Sequence, residues 1–249
     1  MNVIFSFDDG RSDALDAAKI LHSSGLVGTF HVTTGFIDGT FNTNVFGKNR
    51  KSINKDELAQ MKKLGMEISS HGDKHVLDYN DFKTSLDKLN NWQLIDGLKA
   101  GFSIPNSEYD FNQLNEFISK CGESLLYIRG GRSPKCYTFL SKINYVLYQI
   151  TKLQIFYNKF NKFNLNDSFK KNLLFSVVVK NNIKPNNVLK FIDKYCHTDK
   201  TLVLMFHSIV DKATNKWEYS IKKFNMICNG VSSLKNNGKI QCCTFVDLL

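Results

Sequence analysis

Two neighbouring carboxylates, Asp8 and Asp9, directly follow an apolar run at the start of the chain, and two histidines four residues apart, His71 and His75, follow another. Neutral imidazoles with a carboxylate are the ligand set that a catalytic divalent metal needs. Two histidines and one aspartate also leave positions open for water and a substrate carbonyl, which is the layout of a metal-dependent hydrolase. His207 follows a third apolar run and supplies a group able to give up a proton. Adjacent side chains on an extended backbone point opposite ways, so Asp8 and Asp9 are expected to divide the work, one as ligand and the other as base. Each feature alone is weak; their placement after three separate runs is the signal.

The elements around these residues must bring positions 8, 71 and 207 together. A short β-type run, a helical run and a turn alternate along the chain, the pattern of βα units around a parallel sheet. Strands are expected at Val3–Phe7, Gly28–Val32, Met66–Ser69, Gly101–Ile104, Leu125–Arg129, Leu173–Val179 and Leu202–Phe206, with an eighth within Ile240–Phe245. Ser12 is expected to cap a first helix that stops at Gly25, and a longer helix is expected around Asn80–Lys99. Residues 139–170 read as helical excursions. The pattern predicts an α/β fold, a distorted (β/α) barrel of seven to eight parallel strands, forming a single domain over residues 1–249. Strand C-termini gather on one face of such a barrel, so the five ionisable groups are expected to converge there. His31, inside a strand, reads as a packed or hydrogen-bonded histidine, and Asp73 as a residue that turns its loop.

A hydrophobic content of 42%, a charged content of 22% and three prolines exclude disordered, collagen-like and low-complexity chains. The longest near-apolar runs, Leu173–Val179 and Leu202–Phe206, fall far short of the ~20 residues that a bilayer requires. The N-terminus lacks a basic segment and meets two carboxylates before an apolar segment could be completed, so a cleaved secretion signal is not expected. The six cysteines, Cys121, Cys136, Cys196, Cys228, Cys242 and Cys243, show no C-x-x-C spacing and are expected as free thiols in a reducing cytoplasm. The net charge of +10 is uneven: residues 124–166 hold no carboxylate but carry Arg129, Arg132, Lys135, Lys142, Lys152, Lys159 and Lys162 among tyrosines and phenylalanines. Such a block could meet nucleic acid, an anionic membrane surface or an anionic substrate, or be a helix pair with an aromatic core and solvated lysines.

The same residues resemble the polysaccharide deacetylase family, the carbohydrate esterases with the NodB homology domain. Ser6-Phe7-Asp8-Asp9-Gly10 is similar to its first motif, T-F-D-D-G, and Glu67-Ile68-Ser69-Ser70-His71-Gly72-Asp73-Lys74-His75 to its second, a histidine, Ser or Thr, two residues and a second histidine. Gly28 to Val32 resembles the strand between them, and Leu202 to His207 the late strand ending in a catalytic histidine. The resemblance covers nearly the whole chain and is poorest in the middle. It implies a metal held by Asp9, His71 and His75, with Zn²⁺ as first choice, Asp8 as general base and His207 as general acid.

Three departures stand out. Gly72 replaces the Ser or Thr that helps brace the second-motif loop. The third motif, R-x-P-aromatic, has two candidates, Arg132-Ser133-Pro134-Lys135 and Phe102-Ser103-Ile104-Pro105-Asn106; the second keeps the expected order but lacks the arginine that orients the catalytic aspartate, which Arg129 could replace. Pro105 and Arg129 are assigned to the substrate side of the site. The fourth motif is not visible, with Asp167-Ser168, Asp193 and Asp199 as weak candidates.

The resemblance implies removal of an acetyl group from an N-acetylated sugar in a glycan, glycolipid or sugar precursor. The partner expected is a lipid-linked or phosphate-bearing carbohydrate met in the cytoplasm or at the inner membrane face, with peripheral anionic membrane contact through the basic block; nucleic acid is not expected. The alternative is a catalytically impaired glycan-binding or regulatory relative, which the eroded third and fourth motifs would suit.

Overall fold

The computed structural model describes residues 1–41, 51–167 and 173–249. Its first half runs β1 (Asn2–Phe7), α1 (Ala14–Ser23), β2 (Gly28–Val32), α2 (Thr34–Ile37), α3 (Lys55–Lys63), β3 (Glu67–Ser70), α4 (Tyr79–Asn91), β4 (Ala100–Ser103), α5 (Phe111–Cys121) and β5 (Leu125–Arg129). The second half continues α6 (Phe139–Thr151), α7 (Gln154–Asn161), β6 (Leu173–Leu174), β7 (Ser176–Val178), α8 (Pro185–Tyr195), β8 (Thr201–Phe206), β9 (Ser208–Val210), β10 (Glu218–Ser220), α9 (Ile221–Asn236) and β11 (Gln241–Cys242). The main sheet follows the order β6-β5-β4-β3-β2-β1-β8-β7, with parallel pairing at every neighbour. This is a nearly closed parallel barrel of the expected class.

Closure comes from a broken strand. Leu173–Val179 is expected as one run, but it splits at Phe175, where the Asn166 side chain accepts from the Phe175 N–H at 2.8 Å and donates to its carbonyl at 2.9 Å. On either side of the break the same stretch after β5 is engaged: the Gly130 N–H donates to Leu174 O at 2.9 Å and the Ser176 N–H to Gly131 O at 2.6 Å. The expected eighth strand at 240–245 supplies only β11, which pairs off this path with Asn2 and Val3 and leaves β2 to pair from Phe5 onward.

Alternation along the strands separates two cores. Phe5, Phe7, Phe30, Ile68, Leu204 and Phe206 face the surrounding helices, where Phe7 stacks on Phe30 at 4.4 Å and meets Phe224 of α9 edge-on. Ile4, Tyr127, Leu174 and Val203 fill the barrel with Phe245, whose ring stacks on Tyr127 at 4.3 Å. Gly101 leaves the room Tyr127 needs, since a Cβ there would collide with its ring. The inward series therefore reads Ile4-Ser6-Asp8, Glu67-Ser69-His71, Gly101-Ser103, Tyr127-Arg129 and Val203-Met205-His207. Its last members form one layer at the C-terminal mouth.

The helices hold this layer through ordinary local chemistry. Asn54 and Glu57 form a reciprocal capping box at the start of α3, each bond 2.9 Å. Ser12 is not the cap of α1; Asp13 occupies that position and makes no side-chain capping bond. The helix expected to reach Lys99 ends at Asn91, with Gln93 in the left-handed region at φ +58°. Among the described residues no helix is long and apolar enough to cross a membrane.

Candidate metal centre and active site

Asp8 and Asp9 do not point to opposite sides. Asp9 (φ +81°) and Gly10 (φ +79°) turn through the left-handed region, which folds Asp9 back over the mouth, so both carboxylates line one cavity of about 230 Å³. They differ in partners. The Arg11 guanidinium grips Asp9 Oδ2 through Nε at 2.9 Å and Nη2 at 2.6 Å, leaving Oδ1 toward the histidines. Arg11 also donates to Ser208 Oγ at 3.0 Å, tying the first loop to the segment after His207. Arg11 was not singled out from the sequence; its place two residues beyond Asp9 was the signal.

Asp9 Oδ1 lies 3.6 Å from His71 Nε2 and 3.8 Å from His75 Nε2, and the two nitrogens are 3.1 Å apart. Ligand atoms bound ~2.0–2.1 Å from a common tetrahedral ion are ~3.3 Å from one another, so the donor set fits a divalent cation. His71 Nδ1 lies 2.8 Å from Ser103 O; as the donor there, it turns Nε2 toward Asp9. Burial, then the neighbouring His71, pushes His75 down to about 4 against the pull of Asp9 and Asp8. It is neutral at physiological pH, as a metal ligand must be.

The loop carrying these histidines takes its support from α4. Asp81 accepts from the backbone N–H groups of Asp73 at 2.9 Å and Lys74 at 2.8 Å. Gly72 sits at φ +83° beside that carboxylate, where a Cβ would collide with it. Asp73 does more than turn the loop: its buried carboxylate accepts from Thr34 Oγ1 and Lys88 Nζ, both at 2.7 Å.

Asp8 is held from behind. Arg129, fully buried at the end of β5, donates through Nη2 to Asp8 Oδ1 and to Ser103 Oγ. Burial pushes the Asp8 carboxyl up, but Arg129, with His71, His207 and His31, overrides this and holds it well below the usual carboxylate range. Arg129 reaches Asp8 and Ser103 from behind rather than from among the residues that line the cavity, the position expected of a replacement for the arginine that orients the aspartate. His31 is buried, with Nδ1 3.3 Å from Ser6 Oγ and 3.9 Å from Asp8 Oδ1, and Nε2 3.1 Å from the Tyr127 hydroxyl. Tyr127 in turn donates to Glu67 at 2.6 Å, completing a polar column through the barrel.

His207 lines the cavity beside Met205 and packs its ring 4.7 Å from that of Trp217. Burial lowers its pKa against the opposing pull of Asp9 and Asp8. Trp217 was missed from the sequence, as nothing in its flanking residues marks it. Pro105 opens a tight turn whose neighbours Ile104, Asn106 and Ser107 form the cavity wall, while Pro105 itself is buried behind them. Arg132, in the rival third-motif candidate, instead lies over the rings of Tyr145 and Phe160. Asp167 and Asp193 pair with Lys200 and Lys239 at the surface, Asp199 lines a different depression with Met1 and Asn2, and Ser168 lies outside the described residues.

Residues 2–116 match the family model for polysaccharide deacetylase. Among solved structures, the chain is similar to a family 4 acetyl xylan esterase from Clostridium thermocellum in complex with a cobalt ion, at 14% identity over 100% of this chain and 90% of that one, with a TM-score of 0.51. It is similar to the Bc1960 peptidoglycan N-acetylglucosamine deacetylase at 12% identity over 100% and 87%, with a TM-score of 0.53. It also resembles a CE4 family pseudoenzyme from Bacillus anthracis, at 11% identity and a TM-score of 0.50; it aligns over 99% of its own length but spans only 64% of that chain. At these identities the likeness is one of fold. No curated protein matches the sequence.

Proposed function

We propose that this chain, whose residues 2–116 match the polysaccharide deacetylase model, is a metal-dependent hydrolase that removes the acetyl group from an N-acetylated sugar. The observation that carries this is the gathering of Asp8, Asp9, His71, His75 and His207 around one cavity. A divalent cation, Zn²⁺ by choice of donors, held by Asp9, His71 and His75 would supply Lewis acidity and a nucleophilic water at neutral pH.

The chain's own groups do the rest. Asp8, kept ionised by Arg129, takes the proton of the attacking water. His207 lines the same cavity and protonates the departing amine. Trp217 and Met205 wall the acid's side, and Asn106 and Ser107 offer polar groups to the sugar from the turn after Pro105. The leaving group is then a free amine and the other product acetate.

The basic block favours a sugar carried on a phosphate or a lipid phosphate, and the six free cysteines favour a reducing compartment, the cytoplasm. Acetate release from a panel of N-acetylhexosamine polymers, lipid-linked sugars and nucleotide sugars, measured beside metal content, tests the proposal. About one metal per chain with acetate release from one class supports it. Stoichiometric metal with no release from any class, but saturable glycan binding, would establish the impaired glycan-binding alternative instead.

A further inference from the structure

Helix α6 carries an apolar stripe that the described chain leaves exposed, from 39% at Ile143 to 78% at Phe139. Phe139, Ile143, Val146 and Ile150 recur at spacings of four, three and four residues, which places them on one face. Phe139 is 78% exposed and Ile150 74%, while Ser141 and Tyr148 on the opposite face are buried. Leu140, at 71% exposure, widens the stripe, and exposed Leu153 and Ile155 extend it into the start of α7. An apolar patch of this extent marks a surface that meets something other than water.

Charge identifies the occupant. Lys142 on α6 and Lys159, four residues beyond Ile155 on α7, are exposed, as are Lys135 and Lys162 in the flanking turns, and the whole stretch of residues 124–166 lacks a carboxylate. Pairing this face with a second copy of itself would set lysine against lysine. An amphipathic helix with bulky apolar residues on one face and lysines beside them matches the plane of an anionic bilayer, with side chains in the acyl boundary and ammonium groups among the phosphates.

We propose that the α6 surface is a membrane-contact site for anionic lipid. It lies close to the catalytic mouth in the chain: Gly131, eight residues before α6, packs directly against Ser107 of the cavity wall. Contact through α6 would place the segment joined to this wall on the same bilayer as a lipid-linked sugar. The proposal rests on the deacetylase assignment only for that last consequence, because lipid contact is measurable without turnover.

The test is flotation of the full chain with vesicles of phosphatidylcholine alone or with ~30% phosphatidylglycerol. The wild type should float with the anionic vesicles and not the neutral ones, and salt should release it. Phe139→Ser combined with Ile150→Ser should cut partitioning about tenfold or more, and Lys142→Glu or Lys159→Glu about fivefold each. These side chains are exposed, so thermal melting and metal content should stay as in the wild type, which separates lost contact from lost folding. Flotation equal on both vesicle types, or absent from both, overturns the proposal. So does a wild-type dimer in light scattering that Phe139→Ser with Ile150→Ser converts to monomer, which would make the stripe an interface between copies of this chain.

Discussion

Arg129 reaches Asp8 across the inside of the barrel, and the two meet at the same point as Ser103 Oγ, which lies 3.3 Å from the carboxylate. The charge that orients the candidate base therefore arrives from β5, one strand beyond the turn in which the family motif would place it. Lysine cannot reproduce a planar guanidinium that serves Asp8 and Ser103 together. Arg129→Lys should lower kcat about 10²-fold with little change in KM, and the acid limb of the pH–rate profile should move to higher pH, because the shorter ammonium cannot keep the guanidinium's contact with Asp8 and holds it ionised less strongly. An unmoved acid limb would mean that Arg129 only fills space.

His31 touches the same carboxylate more weakly, at 3.9 Å. His31→Phe replaces it with a residue of similar shape and leaves the Tyr127–Glu67 bond in place. The loss in kcat should be less than about tenfold, well below that of Arg129→Lys, with metal affinity unchanged. A larger loss would show that the polar column tunes Asp8 directly.

Gly72→Ser restores the residue type usual at that motif position, yet it should harm this protein. The new Cβ meets the Asp81 carboxylate, and φ of +83° strains any side chain. We expect ~1–3 kcal/mol of lost stability in urea unfolding, together with weaker metal binding as the His71–His75 loop shifts. Unchanged stability would mean that the loop relaxes freely.

Asp8 and His207 carry opposite proton transfers, which two substrates can separate. Asp8→Asn should lose about 10²–10⁴ in rate on both an activated acetyl ester and an N-acetyl sugar. His207→Ala should lose as much on the sugar amide but far less on the ester, whose leaving group needs no proton. Equal losses for His207→Ala on both would refute its role as acid.

Lys180 lies 4.3 Å over the Trp217 ring and is pushed down to about 8, first by burial and then by Arg132 and Lys216. Between pH 8 and 10.5 the unfolded chain keeps a proton that the folded chain has released, so this group makes stability rise with pH in that window. Below it, the charged form carries a constant penalty. Lys180→Met should therefore stabilise the protein near pH 7 and flatten its urea midpoint between pH 8 and 10.5; the same rise in both proteins would assign the effect to another group.

The local order of the chain was legible in its residues because strand alternation and helix periodicity depend on near neighbours. The β1 run with Asp8 and Asp9 after it, the β3 run with His71, and the β8 run with His207 could each be placed from the sequence, and a parallel barrel sends all three ends to one mouth. Tertiary structure decided what lay beyond nearest neighbours. Asp9 joined Asp8 on one side only because two successive left-handed residues reverse the chain, and Asp81 replaced the missing loop support because α4 returns beneath Gly72. Trp217 came to His207 from a separate segment with no pattern to announce it. The break at Phe175 depended on the Asn166 side chain from outside the strand. Partners such as these are selected by packing between distant segments, whereas the composition of residues 124–166 left open a binding surface or a helix pair with an aromatic core, and only the fold showed that Tyr148, Tyr157 and Phe160 are buried while one face of α6 remains bare.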